Sequence, residues 1–245
     1  MTRGRARIGI LVPFTNSNLE PDMALMCPKG VSLHAARLGG YDEDEIPDET
    51  QMQALGAADL NEPLRLISGI KPDVVLYGCT SATLSHGPHF DRDLATRIKA
   101  QSGAETVTAA GALLHALHTL NITKIGFASP YVAAINDLAV AFLTEMGIST
   151  VARSDVPRAL SNEEQGAMTP DDVATHGARA DHTEAQAIVL SCTDMRSVEC
   201  AAKLEAELGK PVITSNQAML FQALQLLDIA DPVRGFGQLL ERNRL

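Results

Sequence analysis

An internal repeat limits the architecture of this chain more than any other feature. Ile8-Gly9-Ile10-Leu11-Val12-Pro13 is echoed by Ile125-Gly126-Phe127-Ala128-Ser129-Pro130. Further on, Val74-Val75-Leu76-Tyr77-Gly78-Cys79-Thr80 is echoed by Ala187-Ile188-Val189-Leu190-Ser191-Cys192-Thr193. Ile8 and Cys79 are 71 positions apart, Ile125 and Cys192 67. A solenoid repeats every ~20–50 residues, so a unit this long indicates a duplicated domain.

Within each unit, apolar runs of strand length alternate with amphipathic stretches. The runs are 7–12, 31–38, 73–77 and 106–108, then 124–128, 149–153, 187–190 and 211–214; helical spacing occupies 63–70, 90–102, 111–120, 135–147, 197–209 and 217–227. Such alternation predicts βαβ units and parallel sheets. The expected fold is α/β, with two similar Rossmann-like parallel-sheet halves related by a pseudo-twofold and the active site in the cleft between them. The halves are expected at 1–116 and 117–222, with 223–245 a tail packing back on the N-terminal half. The acidic, turn-rich 39–49 and the polar 158–182 read as irregular rim loops or lids.

A formal net charge of −10, with no basic run, argues against a nucleic-acid partner. The first apolar run is interrupted at Pro13, too early for a secretory or membrane-spanning segment, so the chain reads as cytoplasmic with no membrane partner. Cys27, Cys79, Cys192 and Cys200 show no metal-ligand spacing, and in a reducing compartment they are expected to be free thiols. No metal and no cofactor is expected.

Cys79 and Cys192 follow buried strands, at the sheet edge where α/β folds bind ligands. A helix start beyond each offers N–H groups and a dipole that favour a carboxylate or a thiolate. Thr80, Ser81, Thr193 and Ser197 add hydroxyls. Two such thiols facing one cleft permit two chemistries. They can exchange protons at a carbon acid whose charge is held by oriented donors. Alternatively, a thiolate can add to an activated double bond, let the new single bond rotate and leave again. A lone strand-end cysteine is as often a small core hydrophobe, and the matched placement is what favours chemistry. Cys27 and Cys200 lack that symmetry and read as structural. Ser85, His86, His89, His34 and Arg37 lie near the cleft edge in sequence, and no spacing gives them a role.

Several separated motifs resemble the maleate isomerase and arylmalonate decarboxylase branch of the aspartate/glutamate racemase superfamily. Val12-Pro13-Phe14-Thr15-Asn16-Ser17-Asn18-Leu19-Glu20 is similar to a family segment whose Asn contacts a substrate carboxylate, a position Asn16 takes, with Asn18 a nearby substitute. Tyr77-Gly78-Cys79-Thr80-Ser81 resembles the first cysteine motif and Leu190-Ser191-Cys192 the second; Ser129-Pro130-Tyr131 resembles the motif whose tyrosine points into the site. Leu160-Ser161-Asn162 resembles an Asp-Asn step, with Ser161 in place of the acid. Singly, each has a plain structural reading: the prolines end strands, Tyr131 starts a helix, the asparagines cap turns.

The resemblance implies a cofactor-independent isomerase acting on a small carboxylate, and a homodimer or larger homo-oligomer. The nearest reading is maleate to fumarate, with Cys79 as nucleophile, Cys192 as acid and base, Tyr131 as catalytic donor, and Asn16, Asn162, Thr80, Ser81 and Thr193 binding substrate. A two-thiol racemase of an aspartate-like amino acid or hydantoin is the alternative; glutamate racemases carry Cys-Thr-His at the second cysteine, where this chain has Cys192-Thr193-Asp194. Arylmalonate decarboxylases keep only the second cysteine, so Cys79 counts against that activity. A non-catalytic carboxylate-binding sensor is the distant alternative.

Overall fold

The computed structural model describes residues 4–40 and 45–241. The first half runs β1 (Ala6–Pro13), α1 (Leu19–Met26), β2 (Val31–Leu38), α2 (Glu49–Gly56), α3 (Asn61–Ser68), β3 (Val74–Tyr77), α4 (Thr80–Ser85), α5 (Gly87–Ser102), β4 (Glu105–Thr108) and α6 (Ala109–Thr119). The second runs β5 (Lys124–Ala128), α7 (Ala133–Glu145), β6 (Ser149–Ser154), α8 (Asn162–Gly166), α9 (Pro170–Ala178), β7 (Ala187–Leu190), α10 (Val198–Leu208), β8 (Val212–Thr214), α11 (Ser215–Leu226) and α12 (Gln238–Glu241).

Two four-stranded sheets result, ordered β2-β1-β3-β4 and β6-β5-β7-β8, and every pairing is parallel. The duplication in the sequence is therefore a duplication of topology. Strands β3 and β7 are buried along their whole length, as strands covered by helices on both faces must be. The repeated glycine of the first strand has a packing cause in both halves. A Cβ on Gly9 would lie 2.9 Å from Ile67 on α3, and one on Gly126 would lie 2.0 Å from the carbonyl oxygen of Ala180, just beyond α9. In each half the covering layer presses directly on the strand backbone.

The two sheets share a core. It takes in Ile8, Ile10 and Leu76 of the first sheet, Ile125, Phe127 and Val189 of the second, and the apolar faces of α6 and α11. Helix α6 follows β4 and α11 follows β8, so they are the matching last helices of the two halves. His115 of α6 bonds Gln225 of α11 and its ring lies against Phe221. Beyond α11, Gln217 donates to the carbonyl of Phe236 and Glu205 accepts from the N–H of Gln238 in the second half, while Arg5 of the first half pairs with Asp231.

One expectation is corrected. Segment 158–182 is not an irregular loop; it holds α8 and α9. Ser161 and Thr169 form capping boxes with Glu164 and Asp172, Pro170 stands at the first turn of α9, and that helix buries its own Val173, Ala174 and His176. Polar caps dominate this stretch and mask its short apolar face. In 39–49, residues 41–44 lie outside the described residues and Glu49 already begins α2, capped by Asp48 and Gln51. Among the described residues no helix is long and apolar enough to cross a membrane.

Helix α1 carries a buried carboxyl. Asp22 is 2% exposed and accepts from the Asn216 amide of α11 at 2.7 Å. Burial pushes it up to about 7, against the pull of that hydrogen bond. A raised carboxyl contributes most stability below its unfolded value near 4 and loses it as pH climbs through about 7.

Two outcomes are expected. Asp22→Asn, which mimics the protonated carboxyl, melts higher than the parent at pH 8, and the gap narrows at pH 5; thermal unfolding at both values measures this. Gly126→Ala lowers stability by roughly 1–3 kcal/mol, the usual cost of forcing a methyl into a packed core, read from urea unfolding.

Candidate active site

Both cysteines stand two residues beyond a buried central strand. The ladder is extended identically before each: the N–H of Gly78 donates to Leu11 at 2.9 Å, and that of Ser191 to Ala128 at 2.8 Å, the same position of the repeat. Cys79 is the N-terminal cap of α4, whereas the Cys192 loop runs to Ser197 before α10 begins. Both cysteines line one small pocket.

The pocket also takes in Asn16, Thr80, Ser81, Tyr131, Asn162 and Thr193, whereas Ser197, the other hydroxyl offered near Cys192, is fully buried outside it. Asn16 is 5% exposed. Its side-chain oxygen accepts from the N–H groups of Asn18 and Leu19, leaving its amide to donate to Thr193 at 3.0 Å. Arg37 bonds the carbonyl of Asn16 at 2.6 Å and pairs with Glu20, a supporting contact that no spacing in the chain singles out. Asn18 does not substitute for Asn16; its amide donates to the carbonyls of Asp194 and Gly166.

Tyr131 is fixed through its backbone. Its N–H donates to Ser129, and its carbonyl accepts from Asn136 and from the N–H of Val156. Its hydroxyl lies 3.1 Å from the Ser81 hydroxyl and 4.0 Å from the Cys192 sulfur, and Ser81 in turn lies 3.7 Å from the Cys79 sulfur. A chain of polar contacts therefore joins the two thiols.

The thiols are unequal. Burial pushes Cys79 up, while the N–H of Ala82 and the hydroxyl and N–H of Ser81 pull it back. Cys192 is pushed up to about 12 by burial and by the negative charge of Asp194; the Asp194 N–H, 3.3 Å from the sulfur, offsets only part. Hydroxyl and N–H donors thus favour a thiolate at Cys79, and the Asp194 charge disfavours one at Cys192.

Several lining residues have no counterpart among the expected ones: Met52 and Leu55 on α2, Gln165 on α8, Thr15 and Asp194. The capping signals Asp48-x-x-Gln51 and Ser161-x-x-Glu164 announce the helices that carry three of them. Ser161, where the family carries an acid, caps α8 and leaves Asn162 as its first residue. Cys27 and Cys200 lie outside the pocket, each with its sulfur near a main-chain carbonyl. His86 stacks on Phe90 and bonds Ala82, and His89 pairs with Asp93 on the surface. All four cysteines are free, and among the described residues no group of three or more His, Cys, Asp or Glu side chains is gathered to hold a metal.

The family described as arylmalonate decarboxylase matches residues 8–240. The maleate isomerase of Pseudomonas putida is 29% identical, over 96% of this chain and 96% of its own. Among solved structures, Nocardia farcinica maleate cis-trans isomerase bound to Tris superposes with a TM-score of 0.89 at 26% identity, covering 97% of this chain and 98% of that one. A cysteine-to-serine mutant of the same enzyme, with a covalently bound succinylcysteine intermediate, superposes at 0.87 with 25% identity over 97% and 98%. Matched over nearly its whole length, the chain belongs to the arylmalonate decarboxylase family, in the branch that also holds the maleate isomerases.

Proposed function

We propose that this protein is a cofactor-independent maleate cis-trans isomerase. The observation that carries the reading is the pair of unequal thiols in one small pocket lined by amide and hydroxyl groups. Retention of both cysteines favours it over decarboxylation, and the covalent succinylcysteine of the Nocardia farcinica relative is the adduct the chemistry calls for.

Cys79, deprotonated, attacks C2 of maleate. The carbon–sulfur bond forms as the double-bond electrons move to C3, where the adjacent carboxylate takes up the charge. Donors fixed in a buried site stabilise that charge without reorganising. Asn16 and Asn162 hold the carboxylates, helped by Thr80, Ser81 and Thr193, and the Tyr131 hydroxyl donates to the developing charge. Cys192 delivers its proton to C3, giving a succinyl thioether on Cys79 and a thiolate at Cys192. Rotation about the new C2–C3 single bond brings the carboxylates to opposite sides. The Cys192 thiolate then removes a proton from C3, the carbon–sulfur bond breaks, and fumarate leaves with Cys79 again a thiolate. The reading includes a cytoplasmic setting, where the free thiols stay reduced.

Cys79→Ala is expected to lower maleate turnover by about three orders of magnitude or more while folding normally. Cys192→Ser, which keeps the nucleophile and loses the better proton donor, accumulates a protein species heavier by one maleate in intact-mass measurement. Full turnover by Cys79→Ala sinks the assignment, and incubation of the parent with maleate and with each aspartate enantiomer in deuterated buffer, followed by NMR, separates isomerisation from racemisation.

Tyr131→Phe is expected to lower kcat by about 10²–10³-fold, as loss of one oriented donor does, with a smaller change in KM. Steady-state assay of fumarate formation measures both.

A further inference from the structure

Asp194 takes no part in the bond changes above, yet one oxygen of its side chain gathers donors from the opposite half. Its Oδ1 accepts from the N–H of Ser17 at 2.8 Å and of Asn18 at 3.0 Å, from the Asn18 amide at 3.2 Å and from the Ser17 hydroxyl at 3.4 Å. Those donors belong to the turn between β1 and α1, on the opposite half from Cys192. The Asn18 amide reaches on to the main chain of Asp194 at 2.7 Å and to Gly166, the last residue of α8, at 2.9 Å. Nothing larger fits at Gly166 without displacement: a Cβ there would lie 3.0 Å from the Ser17 hydroxyl, 3.3 Å from the Asn18 amide and 3.3 Å from the other Asp194 oxygen. Three segments meet at this carboxylate, and each supplies the pocket: Asn16 from the first, Cys192 and Thr193 from the second, Asn162 and Gln165 from α8.

We propose that Asp194 is a positioning residue of the isomerase site, clasping the turn that carries Asn16 and the end of α8 to the loop that carries Cys192. The proposal rests on the isomerase reading for its kinetics and on the geometry alone for the clasp. Asp194 acts through its neighbours in two ways. It fixes the distance between the carboxylate-binding amides and the second thiol, where a misplacement of about 1 Å costs about 10²-fold in rate. Its negative charge also opposes loss of the Cys192 proton, keeping that group a donor. The ionisable groups around it are Cys192 on its own loop and Asp22 on α1, the latter also within the field of Arg196 on the same loop and Glu199 in the first turn of α10; α8 turns Gly166 toward it. Burial raises Asp194 itself to about 6, with the donors from Ser17 and Asn18 pulling the other way, so it is charged at neutral pH and above.

The test compares the intact parent with Asp194→Ala, Asp194→Asn and Asn18→Ala, all checked for folding by circular dichroism. The readouts are kcat and KM for maleate across pH, and the rate at which iodoacetamide labels Cys192, followed by peptide mass spectrometry. Asp194→Ala is expected to lose about 10²-fold in kcat/KM. Asp194→Asn keeps an oxygen acceptor and recovers most of KM; its Cys192 labels several-fold faster at a given pH, and the alkaline limb of its kcat/KM profile moves to lower pH. Asn18→Ala raises KM and leaves the labelling profile of Cys192 unchanged. Kinetics of Asp194→Ala within a factor of about two of the parent, or an unchanged Cys192 labelling rate in Asp194→Asn, overturn the proposal. If Asp194→Ala does not fold, Asp194→Asn decides it through labelling. An inactive parent overturns the isomerase reading alone, because labelling needs no turnover and still decides the role of Asp194.

Discussion

The packing of α6 against α11 is the constraint on which the rest depends. These helices close the two halves, and their apolar faces merge the interiors of both sheets into one core. A close-packed interior moves in discrete rearrangements more readily than by smooth yielding, so the carboxyl edges of the sheets are held at a set separation. The site inherits that rigidity directly. Ser215, the first residue of α11, accepts from the Thr80 hydroxyl at 2.9 Å, and Asn216 beside it donates to the carbonyl of Thr193 at 3.1 Å. The helix that joins the halves thus touches both cysteine loops.

Duplication gives the site near-symmetry, and a single residue after each Cys-Thr pair breaks it. Ser81 offers a hydroxyl to the first sulfur and to Tyr131; Asp194 places a buried charge beside the second. The same strand, ladder extension and threonine therefore present two thiols in unlike electrostatic surroundings. That difference suits a division of labour between nucleophile and proton donor better than it suits two equivalent bases.

The sequence announced what recurs. All eight strands fall where the apolar runs predicted them, the repeated motifs marked Cys79 and Cys192, and the family resemblance pointed to Asn16 and Tyr131. What escaped was short or capped by polar residues. Helices α2 and α8 are of eight and five residues, too brief for periodicity to register, although each carries a complete capping box and together they bring Met52, Leu55 and Gln165 to the pocket. Arg37 and Asp194 were visible as residues but not as partners. Their meaning lies in contacts to Asn16 and to the Ser17–Asn18 turn, separated from them by 21 and about 177 positions, and no local pattern encodes such pairing.

The two threonines after the cysteines carry one more consequence. Thr80 bonds Ser215 of the second half, and Thr193 bonds the carbonyl of Gly78 in the first at 2.9 Å. Each motif therefore finds its hydroxyl's partner in the other copy of the unit. Either unit on its own would leave its threonine hydroxyl without that partner, and two separate units could satisfy both only by pairing face to face. The covalent link between the halves keeps those reciprocal bonds at the concentration of an intramolecular contact, whatever the abundance of the protein. It also frees the two copies of the motif to diverge, as Ser81 and Asp194 have, because neither must serve both sides of the cleft.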